Sequence, residues 1–129
     1  MNTSELRNEL SCRLAIDAND DYGRNKSWEK LAEILSKNVL EAMEFFQHEC
    51  TDEEFYWLSE IFEEVAEKTQ SKELIQTLRD RLSKVTPENY DRQSFHSEHM
   101  RKWVDYAEFV RSVGDEIDYA EGRIEETDS

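Results

Sequence analysis

Seven residues in the last quarter of the chain, Trp103, Tyr106, Val110, Val113, Ile117, Ala120 and Ile124, recur at spacings of three and four. At 3.6 residues per turn such spacing places all seven side chains on one stripe of a helix. An apolar stripe of that length has to be covered by another helix, so the fold must contain helix–helix packing. Few stops for a strand-rich chain exist, because 129 residues include one Pro and three Gly. The sequence therefore predicts an all-α protein, a compact bundle of about five helices, with residues 1–129 as one domain. No internal repeat keeps a convincing register, which argues against a solenoid.

Five helices can be placed. The first spans 3–16, with Thr3 or Ser4 as N-cap and Leu6, Leu10 and Leu14 at four-residue steps. A loop over 17–25 follows. Asp17, Asn19 and Asp21 imitate the start of a calcium loop, but Tyr22 and Trp28 stand where glycine and a bidentate carboxylate belong. The second helix runs from Lys26 to about Gln47 on Trp28, Leu31, Ala32, Leu35, Val39, Ala42, Met43 and Phe46.

Thr51-Asp52-Glu53-Glu54 is a capping box and opens a third helix carrying Phe55, Leu58, Phe62, Val65 and Thr69. A fourth, Ser71 to Val85, is stopped by Thr86-Pro87. The fifth starts near Ser94 and carries the opening stripe. Gly114 lies inside it and costs about 1 kcal/mol relative to Ala. The unbroken apolar phase from Val110 to Ile117 favours one long helix, with any bend at Gly114. Residues 125–129 are expected to fray.

No constellation announces catalysis. His96 and His99 lack further ligands at zinc or di-iron spacing, and the glutamate pairs Glu60/Glu63 and Glu64/Glu67 show no sign of a desolvating cleft. Glycines only at 23, 114 and 122 leave no phosphate-cradling loop. Cys12 and Cys50 read as small core residues. The expectation is a binding protein with no catalytic residues, no cofactor and no metal. The opening MNTSELRNEL lacks an apolar signal region, and no apolar run is long enough to span a bilayer, so a cytoplasmic protein is expected.

Charge is the most specific signal. The formal net charge is -15, which disfavours unaided binding to nucleic-acid backbone or to an anionic membrane and favours a basic protein partner. Eleven acids and one base lie between Glu33 and Glu67, eight bases and five acids between Lys68 and Lys102, and nine acids and two bases from Trp103 onward. On the third helix Glu53, Glu60, Glu64 and Glu67 fall opposite the apolar seam, flanked by Tyr56 and Trp57. On the last helix Tyr119 points away from the seam among Glu108, Asp115 and Glu116. Aromatic anchors beside steering carboxylates mark Tyr56, Trp57, Glu60, Glu64, Glu67, Glu108, Asp115, Glu116 and Tyr119 as candidate partner-binding residues. In the competing reading Trp57 and Ile61 form a second buried face and the acids are only solvated.

Small, acidic, helical chains with aromatics among surface carboxylates are a type this sequence shares, notably in Thr51-Asp52-Glu53-Glu54-Phe55, in Trp103-Val104-Asp105-Tyr106-Ala107-Glu108-Phe109-Val110 and in Asp118-Tyr119-Ala120-Glu121-Gly122. In this it resembles the immunity proteins of bacterial contact-dependent growth inhibition and related polymorphic toxin systems. The resemblance implies a protein that binds one cognate toxin domain, often a nuclease such as an RNase, and blocks it inside the cell that makes it. Alternatives are a nucleic-acid-mimicking inhibitor, a helical structural or oligomeric adaptor, and a helical enzyme with a carboxylate or histidine site. Either a monomer or a homodimer is compatible with the sequence.

Overall fold

Two residues, Asn38 and Asp105, decide how the chain is cut into helices. A computed structural model describes residues 2–15 and 20–125. Within them the order is α1 (Thr3–Ala15), α2 (Asp21–Lys37), α3 (Val39–Glu44), a π-helical turn (Phe45–Glu49), α4 (Asp52–Leu58), a 3-10 turn (Ser59–Ile61), α5 (Phe62–Thr69), α6 (Lys72–Ser83), a second 3-10 turn (Arg92–Ser94), α7 (Glu98–Trp103) and α8 (Tyr106–Glu121). Every regular element among the described residues is helical, in keeping with the all-α expectation. With α4 and α5 joined through one 3-10 turn, the rods number about seven, not five.

The extra rods arise where a polar side chain competes with the helix backbone. Asn38 adopts an extended backbone and its Oδ1 accepts from the Glu41 N–H at 3.2 Å, ending α2 and capping α3. The expected helix from Lys26 to Gln47 is thus divided. Asp105 does the same nearer the end, its Oδ1 accepting from the Glu108 N–H at 2.8 Å. Between the two helices the Tyr90 hydroxyl donates to the Val104 carbonyl at 2.6 Å. Trp103 consequently leaves the expected stripe and stands 70% exposed, while Phe109 is fully buried in the seam. The helix then runs unbroken through Gly114, where an added Cβ would meet only Leu82 Cδ2 at 3.7 Å.

Other boundaries shift by smaller amounts. Residues 16–19 of the expected 17–25 loop lie outside the described residues, and Asp21 already opens α2, capped by Asp20 through its bond to Gly23 N–H at 2.9 Å. Of the expected frayed tail, residues 126–129 lie outside the described residues. The Thr51 capping box forms as expected, with bonds of 3.1 Å from Glu54 N–H to Thr51 Oγ1 and 3.0 Å from Thr51 N–H to Glu54 Oε1. Cys50 is buried, but Cys12 is exposed and does not join the core.

The core is a cluster of phenylalanine rings. Phe46 lies 6.0 Å from Phe55 and 5.8 Å from Phe62, and Phe55 lies 6.5 Å from Phe109, all fully buried. Each such ring contributes roughly 1.5–3 kcal/mol by burial, with a smaller addition from edge contacts between rings. The π turn makes the cluster possible, because its Cys50 N–H to Phe45 carbonyl bond of 2.8 Å widens the helix enough to bury the adjacent rings Phe45 and Phe46 together. Arg81 closes the core from α6, donating to the Cys50 carbonyl at 3.0 Å and to Asp52 at 2.6 Å over the face of Phe55. Against this core α8 packs on both α5 and α6, and α2 packs on α1 and α5. No helix of the described residues is long and apolar enough to cross a membrane.

Candidate functional site

The contact of α5 with α8 fixes which surface side chains meet. Along α8 the stripe Tyr106, Phe109, Val113, Ile117 and Ala120 faces inward, so Glu108, Ser112, Asp115, Glu116 and Tyr119 fall on the flank towards α4 and α5. Glu60 in the 3-10 turn and Glu63 on α5 come up against that flank. Glu116 sits half-buried where they converge, its pKa raised by burial and then by Glu63, Glu60 and Asp115. It has no cationic partner among the described residues. Carboxylates on two helices that looked separate in the sequence are thus brought to one place.

Aromatic side chains border this acidic face. Tyr56 lies against Phe109 with ring centroids 6.0 Å apart and planes 25° from parallel, leaving its hydroxyl at the edge of the acids. Burial raises its pKa and Glu108 raises it further, with a hydrogen bond to Ser112 in partial opposition. Tyr119, one turn beyond Asp115 and Glu116, is 58% exposed. Arg111 runs along the outer edge, paired with Glu108 and, at 3.3 Å, with Asp115. Tyr56, Glu60, Glu108, Asp115, Glu116 and Tyr119 therefore share one surface.

The other three candidates sit elsewhere. Glu64 and Glu67 line a trench of about 720 Å³ with Glu29, Glu33 and Lys68, between α5 and α2. Trp57 is half-buried, packed on Tyr56 at 5.3 Å and on His99 at 6.3 Å, and it lines a groove of about 370 Å³ with Leu10, Leu14, Glu53 and His96. Ile61, one turn further on, is buried. Trp57 Nε1 is buried without a hydrogen-bond partner.

Glu53 also leaves the expected acid stripe. Its carboxylate accepts from the backbone N–H groups of His96 at 3.1 Å and Ser97 at 2.9 Å, so it caps the approach to α7. Two structural carboxylates, Glu54 and Asp52, are taken by Arg7 at 2.8 Å and by Arg81 at 2.6 Å. Sequence reasoning missed Glu63, Arg111 and Arg123 as members of the face. The i,i+3 and i,i+4 spacing of Arg111 to Glu108 and Asp115 was the available signal.

The face is rich in carboxylates, with Arg111 and Arg123 at its edges. No three His, Cys, Asp or Glu side chains among the described residues gather to hold a metal ion. The buried Cys50 thiol is pushed far up by desolvation, which makes it a poor nucleophile. Comparison with known proteins leaves the geometry to speak alone, since no family model, no curated protein and no solved structure matches the chain significantly.

Proposed function

We propose that this chain is a binding protein that neutralises a basic protein partner, in the manner of an immunity protein covering the substrate site of a nuclease toxin. The observation that carries the reading is the acidic face on which Glu116, half-buried and without a cationic partner among the described residues, meets Glu63, Glu60 and Asp115. Burial and the neighbouring carboxylates disfavour the charged form of Glu116, and a cation from a partner placed beside it would favour that form. A nuclease supplies suitable cations because its own site must hold phosphates. Tyr56 and Tyr119 provide rigid rings at the border of the acids, the side-chain type that most often anchors an interface.

The reading is tested in two stages. The tagged chain is incubated with a lysate of its host in low salt, and bound proteins are eluted with a salt gradient. A basic protein with nuclease activity, released by salt and inhibited on re-addition of the chain, is expected. With that partner in hand, Glu60→Lys, Asp115→Lys and Glu116→Lys together should slow association about tenfold or more, with a smaller effect on dissociation, and raised salt should reproduce the change. Association rates that ignore both salt and the three reversals would remove the acidic face from the interface.

A further inference from the structure

Gln70 is the one non-glycine residue of the described chain with a left-handed backbone, at φ 50°. It ends α5 where glycine is the usual choice, because glycine adopts that conformation without strain. The side chain explains its presence. Gln70 Nε2 donates to the Glu67 carbonyl at 2.9 Å and to the Arg123 carbonyl at 3.0 Å, while its Oε1 accepts from the Glu125 N–H at 2.7 Å. Residues 122–125 are thereby tied down across the end of α5. A glycine at position 70 would keep the cap and lose the two side-chain ties to residues 123 and 125, leaving the backbone bonds of residues 122–124 to α8.

The tied segment delivers a cation to the acidic face. Arg123 Nε donates to Glu63 Oε2 at 3.0 Å, and its Nη1 lies 3.7 Å from Glu67. Glu63 is one of the carboxylates crowding Glu116, and Glu67 belongs to the neighbouring trench. Arg123 therefore stands between the two acidic areas. The Arg123 side chain is 53% exposed, against 32% for Glu63 and 64% for Glu67, so solvent and salt screen the contact with Glu67 most and that with Glu63 in part.

We propose that residues 122–125 are a displaceable strap in which Arg123 occupies Glu63 and Glu67 until a partner's cation takes its place. The strap rests on the reading of this surface as a docking face for a basic protein. It makes the chain its own competitor. Any cation that takes Glu63, an ammonium or a guanidinium, has first to displace Arg123.

The test uses the isotope-labelled full chain and a decalysine peptide as a defined cationic probe, followed by NMR in low salt. Binding should shift the Glu63 and Glu116 amides, move the Arg123 Nε–H signal and remove the exchange protection of the Glu125 amide. Arg123→Ala should tighten peptide binding about two- to fivefold, the range expected for loss of one exposed competing pair. Gln70→Gly, which changes no charge, should tighten it about twofold by the same estimate. Arg123→Lys should stay near wild type, and Arg79→Ala, with the same charge change on the α6 side, should gain clearly less than Arg123→Ala.

Equal affinities for wild type, Arg123→Ala and Gln70→Gly would overturn the strap. So would an equal gain from Arg79→Ala and Arg123→Ala, since net charge alone would then account for both. Shifts at Glu63 and Glu116 with an unmoved Arg123 would overturn the strap while leaving the docking face intact. Absence of shifts at Glu63 and Glu116 would overturn the docking face and the strap together.

Discussion

The two flanks of α8 carry similar numbers of acids and treat them in opposite ways. On the side of α6, Asp118 and Glu121 both meet Arg79, at 3.0 and 3.2 Å. On the side of α5, Arg111 pairs with Glu108 and Asp115 and Arg123 pairs with Glu63, while the half-buried Glu116 beside them has no cationic partner among the described residues. One helix thus presents a neutralised flank and a frustrated one. Both are held by the same buried rings, so the frustration is not a sign of poor packing.

The comparison can be broken outright by removing the shared scaffold. Phe55, fully buried against Phe46, Phe62 and Phe109, should cost about 3–5 kcal/mol when changed to Ala. Urea denaturation followed by circular dichroism should show both flanks lost in one transition, and two separated transitions would mean that they do not share a core. Next in size is Arg81→Ala. It leaves Asp52 and the Cys50 carbonyl without their partner near the core and should cost about 1–3 kcal/mol in the same assay.

Smaller substitutions sharpen the contrast by sign. Arg79→Ala removes the cation of the neutralised flank and should destabilise by about 0.5 kcal/mol, within the range for exposed pairs. Glu116→Gln keeps the shape of the frustrated flank and removes its repulsion, so it should raise the melting temperature, by about 1–2 °C for a chain of this size. The gain must also depend on pH. Glu116 has a raised pKa, so the stability of its protonated form is fully present below the usual glutamate range and lost as pH rises through the raised value. The advantage of Glu116→Gln over wild type should therefore shrink as pH falls from 7 towards the glutamate range, and a constant difference would remove the repulsion argument.

Glu54 titrates in the other direction. Burial pushes it up, but the hydrogen bonds from Arg7 and Thr51 outweigh burial and hold its pKa below the ordinary value. Its contribution is present above the ordinary glutamate pKa and lost as pH falls through the lowered one. As pH falls, Glu116 therefore protonates first, and the stabilisation from Glu54 is lost only below the ordinary glutamate range.

Elements written in local spacing could be read from the sequence. The Thr51 capping box, the Ser71 start and the buried positions Leu58, Phe62 and Val65 follow from neighbours within one or two turns. The breaks at Asn38 and Asp105 were obscured by the apolar rhythm itself, since Val39 follows Leu35, and Tyr106 follows Trp103, at steps that an unbroken helix would also give. Acids on each helix were legible, but their meeting was not. It depends on α8 lying beside α5, a fact held in the shapes of Phe55, Phe62 and Phe109 and not in any spacing. Tyr56 and Trp57 differ by one position, yet Tyr56 packs on Phe109 and Trp57 on His99, and Glu53 serves a helix that starts more than forty residues later.

The position of α8 in the chain has a consequence in time. Phe46, Phe55 and Phe62 emerge from the ribosome well before Phe109, the ring that covers them, and at about 5–20 residues per second the gap from Phe55 to Phe109 lasts roughly 3–11 s. During that interval the nascent chain presents an uncovered apolar floor. It is also already strongly acidic, with eleven acids and one base between Glu33 and Glu67. Like charge on neighbouring nascent chains opposes contact between such floors, a role for the acidity that needs no partner.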